Sequence, residues 1–276
     1  MQTRRSFLKS GGQLAAGALL FPTFNEFYKP KRVGVQLYSA REDMLKDAVG
    51  TLKQLAKIGY TDLESARSNK GNYYGLKPKE IRKIAKDLGM VVRSGHVHVD
   101  KNWQRSIEGA VEAGQQYLVC SSLPHQGQTV ENYQRCADIF SKAGEDCKKA
   151  NLVFAYHNHE EEFEKKDGII LYDILLDRSD KDLVKMQMDL GWVIISGNDP
   201  IAYFKKYPGR FPLWHLKDMD VKKKHSTEFG KGQLDVKSYV RNAEKYGLKY
   251  YFVEQEEYSM KPLESLRYDY NYLKRI

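Results

Sequence analysis

Cysteine is scarce in this chain. Cys120, Cys136 and Cys147 are the only three in 276 residues, an odd number without the paired spacing that marks a thiolate metal site. Cys136 and Cys147 fall in one helical pattern, about 16 Å apart along its axis at 1.5 Å per residue, so they cannot bridge each other. A disulfide framework is therefore not expected. Linkers and low-complexity stretches are absent from residues 32 to 276, and no GxGxxG fingerprint follows the first apolar run, which weakens a dinucleotide-binding reading. With 41% hydrophobic residues the chain has enough apolar material for one substantial core, and disorder is excluded. A strong charge of one sign is missing too. The formal net charge is +9, but the first 32 residues hold a net +5 of it, which leaves +4 on the remainder. Solvated lysine-rich helix faces account for so mild a balance, so no nucleic-acid partner is expected.

The basic N-terminus carries a pattern of its own. Thr3-Arg4-Arg5-Ser6-Phe7-Leu8-Lys9 is a twin-arginine motif, and the weakly apolar run from Gly11 to Phe21 that follows is too short to span a bilayer. Residues 1–30 are read as an export signal and linker that send a folded protein to the periplasm without a lasting membrane anchor. No clear A-x-A cleavage site is present. Residues 31–276 are left to form the folded domain.

From residue 32 onward, short apolar runs alternate with helical patterns. The runs are RVGVQLYS (32–39), YTDLES (60–65), MVVRSGHVHV (90–99), QYLVCSS (116–122), LVFAYHNH (152–159), LVKMQMD (183–189), FPLWHLKD (211–218) and LKYYFVE (248–254). Helical periodicity predicts helices near 41–58, 77–88, 103–113, 130–149, 169–178, 199–206 and 235–246, then one at the C-terminus. Gly59, Gly89, Gly114 and Gly247 each stand where a left-handed residue would end a helix just before the next run. Continuous apolar strands between amphipathic helices imply a parallel sheet covered by helices. Eight strand-helix units in one stretch predict an α/β fold, a single-domain closed (β/α)8 TIM barrel.

Chemistry in such a barrel sits on the rim where the strands finish. The residues there are Gln36, Glu64, His96 with His98, Ser121, His157 with His159, Asp189, His215 with Lys217, and Glu254. Five of the seven histidines lie at strand ends, which scattered surface or core histidines would not produce. A mouth crowded with imidazoles and carboxylates calls for a divalent cation. One ligand each from strands five to eight gives His157, Asp189, His215 and Glu254.

VGVQLYS, YHNHEEEF, MDLGWV, WHLKDMD and FVEQEEY, in that order, resemble the sugar phosphate isomerase/epimerase family of xylose-isomerase-like TIM barrels, from about residue 32 to the C-terminus. The resemblance implies one divalent ion, manganese foremost, with zinc, cobalt, iron or magnesium as alternatives, and a sugar substrate. Asp189, His215 and Glu254 match the family's ligand positions. Epimerases of the superfamily carry a glutamate where this chain has His157. The YHNH form resembles instead a branch of inosose dehydratase-like and 3-keto-glycoside-cleaving proteins.

The expected reaction is proton abstraction next to the carbonyl of a sugar or keto-sugar, with the ion stabilising the enediolate. The outcome is isomerisation or epimerisation, or dehydration or glycoside cleavage. His159, His157 or Glu254 is expected to move the proton, and Lys217, inward like His215, to stabilise a substrate oxygen. Gln36, Glu64, His96, His98, Glu162 and Trp192 are the expected substrate contacts. Two other classes fit the same architecture: an endonuclease IV-like phosphodiesterase and a non-catalytic sugar-binding barrel. Oligomeric state is open, a homo-oligomer included.

Overall fold

All four predicted terminating glycines stand at positive φ, from +73° at Gly114 to +125° at Gly59, where a side chain would be strained. They end helices and turn the chain into the next strand of a closed parallel barrel in the computed structural model, which describes residues 32–276. The expected export signal lies outside the described residues. The barrel strands are β1 (Gly34–Gln36), β2 (Asp62–Ser65), β3 (Val91–Val97), β4 (Tyr117–Cys120), β5 (Val153–His157), β6 (Val184–Asp189), β7 (Leu213–Leu216) and β8 (Tyr250–Val253). Each pairs with its neighbours in sequence, and β1 closes the cylinder by pairing with β8, Gly34 opposite Phe252. Gly34 permits that closure, since a Cβ there would meet the Tyr251 carbonyl oxygen at 2.3 Å and the Phe252 ring at 2.6 Å.

The outer helices are α1 (Arg41–Lys46), α2 (Ala48–Ile58), α3 (Pro78–Asp87), α4 (Trp103–Ala113), α5 (Val130–Lys149), α6 (Leu171–Arg178), α7 (Leu190–Ile195), α8 (Pro200–Lys206), α9 (Val236–Asn242) and α10 (Pro262–Lys274). The single helix expected over 41–58 is two. Asp47 interrupts it because its carboxylate accepts a hydrogen bond from the Gly50 N–H at 2.8 Å and so caps a fresh helix. Ile169 and Ile170, expected at the start of α6, pair instead with Lys165 and Lys166 in a small hairpin.

The interior has three levels. Asp62 pairs with Arg93 at 2.5 Å and Arg32 at 2.7 Å at the floor. Val119, Ala155, Leu213 and Phe252, drawn from four strands, form an apolar layer above it. Polar side chains fill the mouth. A bulge in β3 makes both ends workable: pairing with β2 skips Arg93, which sends Arg93 inward to the floor and still turns Ser94 and His96 inward at the top.

Candidate metal centre

Strand alternation puts each expected ligand one step above that apolar layer. Ala155 is followed on the same face by His157, Leu213 by His215, and Phe252 by Glu254, while Gln187 is followed by Asp189. The four side chains His157, Asp189, His215 and Glu254 are buried, and one donor atom from each lies within 4.8 Å of the others. Opposite ligands of a shared ion stand roughly 4 Å apart at ordinary bond lengths of about 2.0–2.2 Å, so small side-chain shifts would close the set. Asp189 also caps α7, its Oδ1 accepting from the Trp192 N–H at 3.1 Å. Its buried Oδ2 is met by Lys217 Nζ at 2.9 Å. Two backbone features fix this aspartate. Asn158 Oδ1 accepts from its N–H at 3.2 Å, and Gly191 lets α7 approach β7, where a Cβ would stand 2.6 Å from the Lys217 carbonyl oxygen.

A second polar tier supports the ligands. Glu64 Oε2 accepts from Ser94 Oγ at 2.5 Å and Gln187 Nε2 at 2.7 Å, while Oε1 accepts from Gln36 Nε2 at 2.9 Å and contacts His215 Nε2. His215 Nδ1 faces Glu254 Oε2 at 2.7 Å. Gln187 Oε1 lies 2.7 Å from His96 Nε2 and 3.1 Å from His157 Nδ1. His96, His157 and His215 form a second close donor group that shares two members with the first.

Charge in this region is unbalanced. Asp189, Glu254 and Glu256 converge on Lys217 Nζ at 2.9, 3.0 and 2.5 Å, and the charged partners of Glu64 are imidazoles. Four carboxylates therefore share one permanent cation. The consequences appear in the titration of each group. Burial opposes the charge of His215, but Glu254 and Glu64 prevail and carry it up to about 10. Burial likewise opposes Lys217, whose three carboxylate partners hold it well above the usual lysine range. Burial pushes Asp189 and Glu256 up, with Glu254 adding to both. Glu254 itself stays well below the carboxylate range, because Lys217 and His215 outweigh its burial. His157 is driven well below the histidine range by burial and the neighbouring His215. The donor set of two imidazoles and two carboxylates, with surplus negative charge around it, fits a divalent cation.

A cavity of about 530 Å³ opens above these ligands, and His96, His98, Ser121, His157, His159 and Glu254 stand on its wall. The other expected contacts lie elsewhere. Gln36 and Glu64 are wholly buried and bonded to each other in the supporting tier. Glu162 is buried and binds back into its own loop, accepting from Tyr156 Oη at 2.5 Å and the His159 N–H at 2.7 Å, which positions His159. Lys217 is fully buried among its carboxylates, with Nζ 4.7 Å from the Trp192 ring centre. The sequence reading missed Ser94, Gln187 and Glu256. Gln187 and Glu256 stand two residues from Asp189 and Glu254, so the same period of two would have found them; Ser94 needed the bulge.

Comparison with known proteins gives three kinds of match. The model of the xylose isomerase-like TIM barrel family matches residues 52–276. An inosose dehydratase of Lacticaseibacillus casei is 27% identical over 137 residues, half of this chain and 43% of the relative, so the chain spans under half the length of that curated relative. A sugar phosphate isomerase/epimerase structure from Parabacteroides distasonis is 26% identical with a TM-score of 0.79, covering 89% of this chain and 98% of the other. The IolI protein with a bound zinc atom has a TM-score of 0.69 at 13% identity, covering 88% of this chain and 97% of the other, a likeness of fold.

Proposed function

The chain belongs to the xylose isomerase-like TIM barrel family, and from that premise we propose a divalent-metal-dependent enzyme that removes a proton next to the carbonyl of a keto-sugar and expels the β-substituent. The observation that carries the proposal is the buried ring of His157, Asp189, His215 and Glu254 with its surplus of negative charge. A divalent ion of the manganese to zinc class held there would act as a Lewis acid on a substrate carbonyl. The remaining work falls to the chain. His159 stands on the cavity wall, its loop fastened by Glu162, and burial with the nearby Lys217 pulls it down to about 4, so at neutral pH it is uncharged and free to accept the proton. The C–H electron pair then forms a C=C bond as the β C–O bond breaks, and the leaving group takes up a proton. Lys217 keeps Asp189, Glu254 and Glu256 together while this happens. Return of the proton in place of elimination would give isomerisation or epimerisation; the dehydratase relatives and the neutral His157 at strand five favour elimination. In the same proposal, the Arg4-Arg5 segment delivers the barrel to the periplasm.

Manganese-loaded protein, incubated in D2O with a panel of ketosugars and 3-keto-glycosides, should incorporate deuterium next to the carbonyl and release aglycone. Asp189→Ala should do neither and should lose its ion in elemental analysis. Absence of both exchange and release from the loaded wild type across the panel rejects the proposal.

A further inference from the structure

A second cavity, of about 620 Å³, adjoins the first. It lies between the loop that follows β2 and the stretch running from the end of β3 into α4, and it shares Arg67, Ser68 and His98 with the cavity above the metal ligands. Each cavity alone falls within the roughly 300–1,000 Å³ of a complete small-molecule site. A single sugar ring at the metal centre would therefore leave the second one empty. Its wall is preformed: Ser68 and Gly71 exchange backbone hydrogen bonds at 3.1 and 3.0 Å, and Lys70 Nζ donates to the Leu45 carbonyl at 2.6 Å. The lining holds four cations (Arg67, Lys70, Lys77 and Arg105) and three carboxylates (Asp100, Glu108 and Glu112), so the cavity is not an anion trap. Tyr73, Leu76 and Pro78 add flat apolar surface. Arg67 and Arg105 make no hydrogen bond or ion pair among the described residues, which leaves guanidinium donors available to hydroxyl groups.

We propose that this second cavity is a subsite for a neutral ring, sugar or aryl, joined through a glycosidic bond to the ring at the metal centre, with Arg67 at the junction. The substrate is then a two-part molecule, and the second cavity holds its leaving half. This deepens the keto-sugar reading and rests on it.

Gly109 on α4 provides the test. Gly109 lines the second cavity, and a Cβ there would make ordinary contact with Pro78 Cγ at 3.6 Å and Tyr73 Oη at 3.7 Å, so a side chain at this position takes up space in the cavity. Calorimetry on manganese-loaded protein would compare phenyl β-glucoside with methyl β-glucoside as probes. Wild type should bind the phenyl glycoside at least tenfold more tightly. Gly109→Phe should cut that preference at least fivefold while leaving the methyl glycoside within twofold, and Gly109→Leu should act in the same direction if the larger residue prevents folding. A wild type that fails to bind the phenyl glycoside or to prefer it, a preference that survives both substitutions, or equal weakening of both probes overturns the proposal. Deuterium exchange into a free ketosugar, which needs the metal centre alone, separates this failure from failure of the enzymatic reading.

Discussion

Lys217→Met removes the one permanent cation from a buried cluster and keeps most of the aliphatic stem, so its cost is electrostatic and leaves little cavity. Three carboxylates at 2.5–3.0 Å lose their partner. Deleting one side of a buried ion pair costs about 3–5 kcal/mol. The losses at Asp189, Glu254 and Glu256 do not add, because a stranded carboxylate can protonate at about 1.4 kcal/mol per pH unit of displacement. For a domain of this size, about 2–4 °C per kcal/mol turns the loss into a fall in melting temperature of about 6–20 °C. The sign of its pH dependence follows. Carboxylates deprived of Lys217 have folded-state pKa values above their unfolded ones, so the loss is full near neutrality and shrinks as falling pH protonates both states. Scanning fluorimetry in chelator at pH 5 and pH 7.5 would measure it, and saturating manganese should recover several degrees, because all four donors remain and an ion at 1,000 times its Kd adds about 4 kcal/mol. A variant that melts within about 2 °C of wild type in chelator, or a gap that ignores pH, refutes this account of the cluster.

Gln187→Leu should weaken metal binding by about 10- to 100-fold in a competitive chelator titration, with little change in the ligand residues themselves; unchanged affinity would show that the amide does not orient the imidazoles. Asp269 on α10 is buried, its Oδ2 has no hydrogen-bond partner among the described residues, and burial pushes it up to about 8. Its folded pKa thus exceeds the unfolded value near 4, so wild-type stability declines between about pH 4 and 8 and levels off above. Asp269→Asn should gain on wild type by about 3–5 kcal/mol across that window in urea melts, and a gap constant with pH would contradict the assignment.

The barrel was legible because its signals are local and repeated. Each strand is an apolar run, each helix has a periodic face, and four glycines mark the joints, so one misplaced boundary does not disturb the rest. The gathering of His157, Asp189, His215 and Glu254 into one donor group was legible for a related reason: a closed parallel barrel forces the ends of β5 to β8 together, and alternation decides which residues point inward. What escaped depends on interactions across the barrel. Nothing in the YTDLES stretch says that Glu64 will be saturated by donors from β1, β3, β6 and β7 and so stay beneath the mouth. Lys217 shares the inward parity of His215, yet three carboxylates from β6 and the chain after β8 draw it away from the cavity. Asp47 splits the first helix through a cap that overrides apolar periodicity.

The supporting tier determines more than position. Glu64 and the Gln187 amide orient the rings of His157 and His215. Gln187 Nε2 donates to Glu64 at 2.7 Å, which leaves its Oε1, an acceptor, toward both His96 and His157. His157 must therefore present Nδ1–H to that oxygen, and its Nε2 lone pair points toward Asp189, 4.0 Å away. His215 is held from both sides: Glu64 takes Nε2–H and Glu254 Oε2 stands 2.7 Å from Nδ1, so the two carboxylates keep this ring charged and a cation bound at Nδ1 would displace its proton. Two imidazoles from different strands are thus oriented through a single buried carboxylate that is not itself part of the donor group. Glu64 acts through these contacts from beneath the mouth: a carboxylate free to swing upward would release Gln187 and His215 at once.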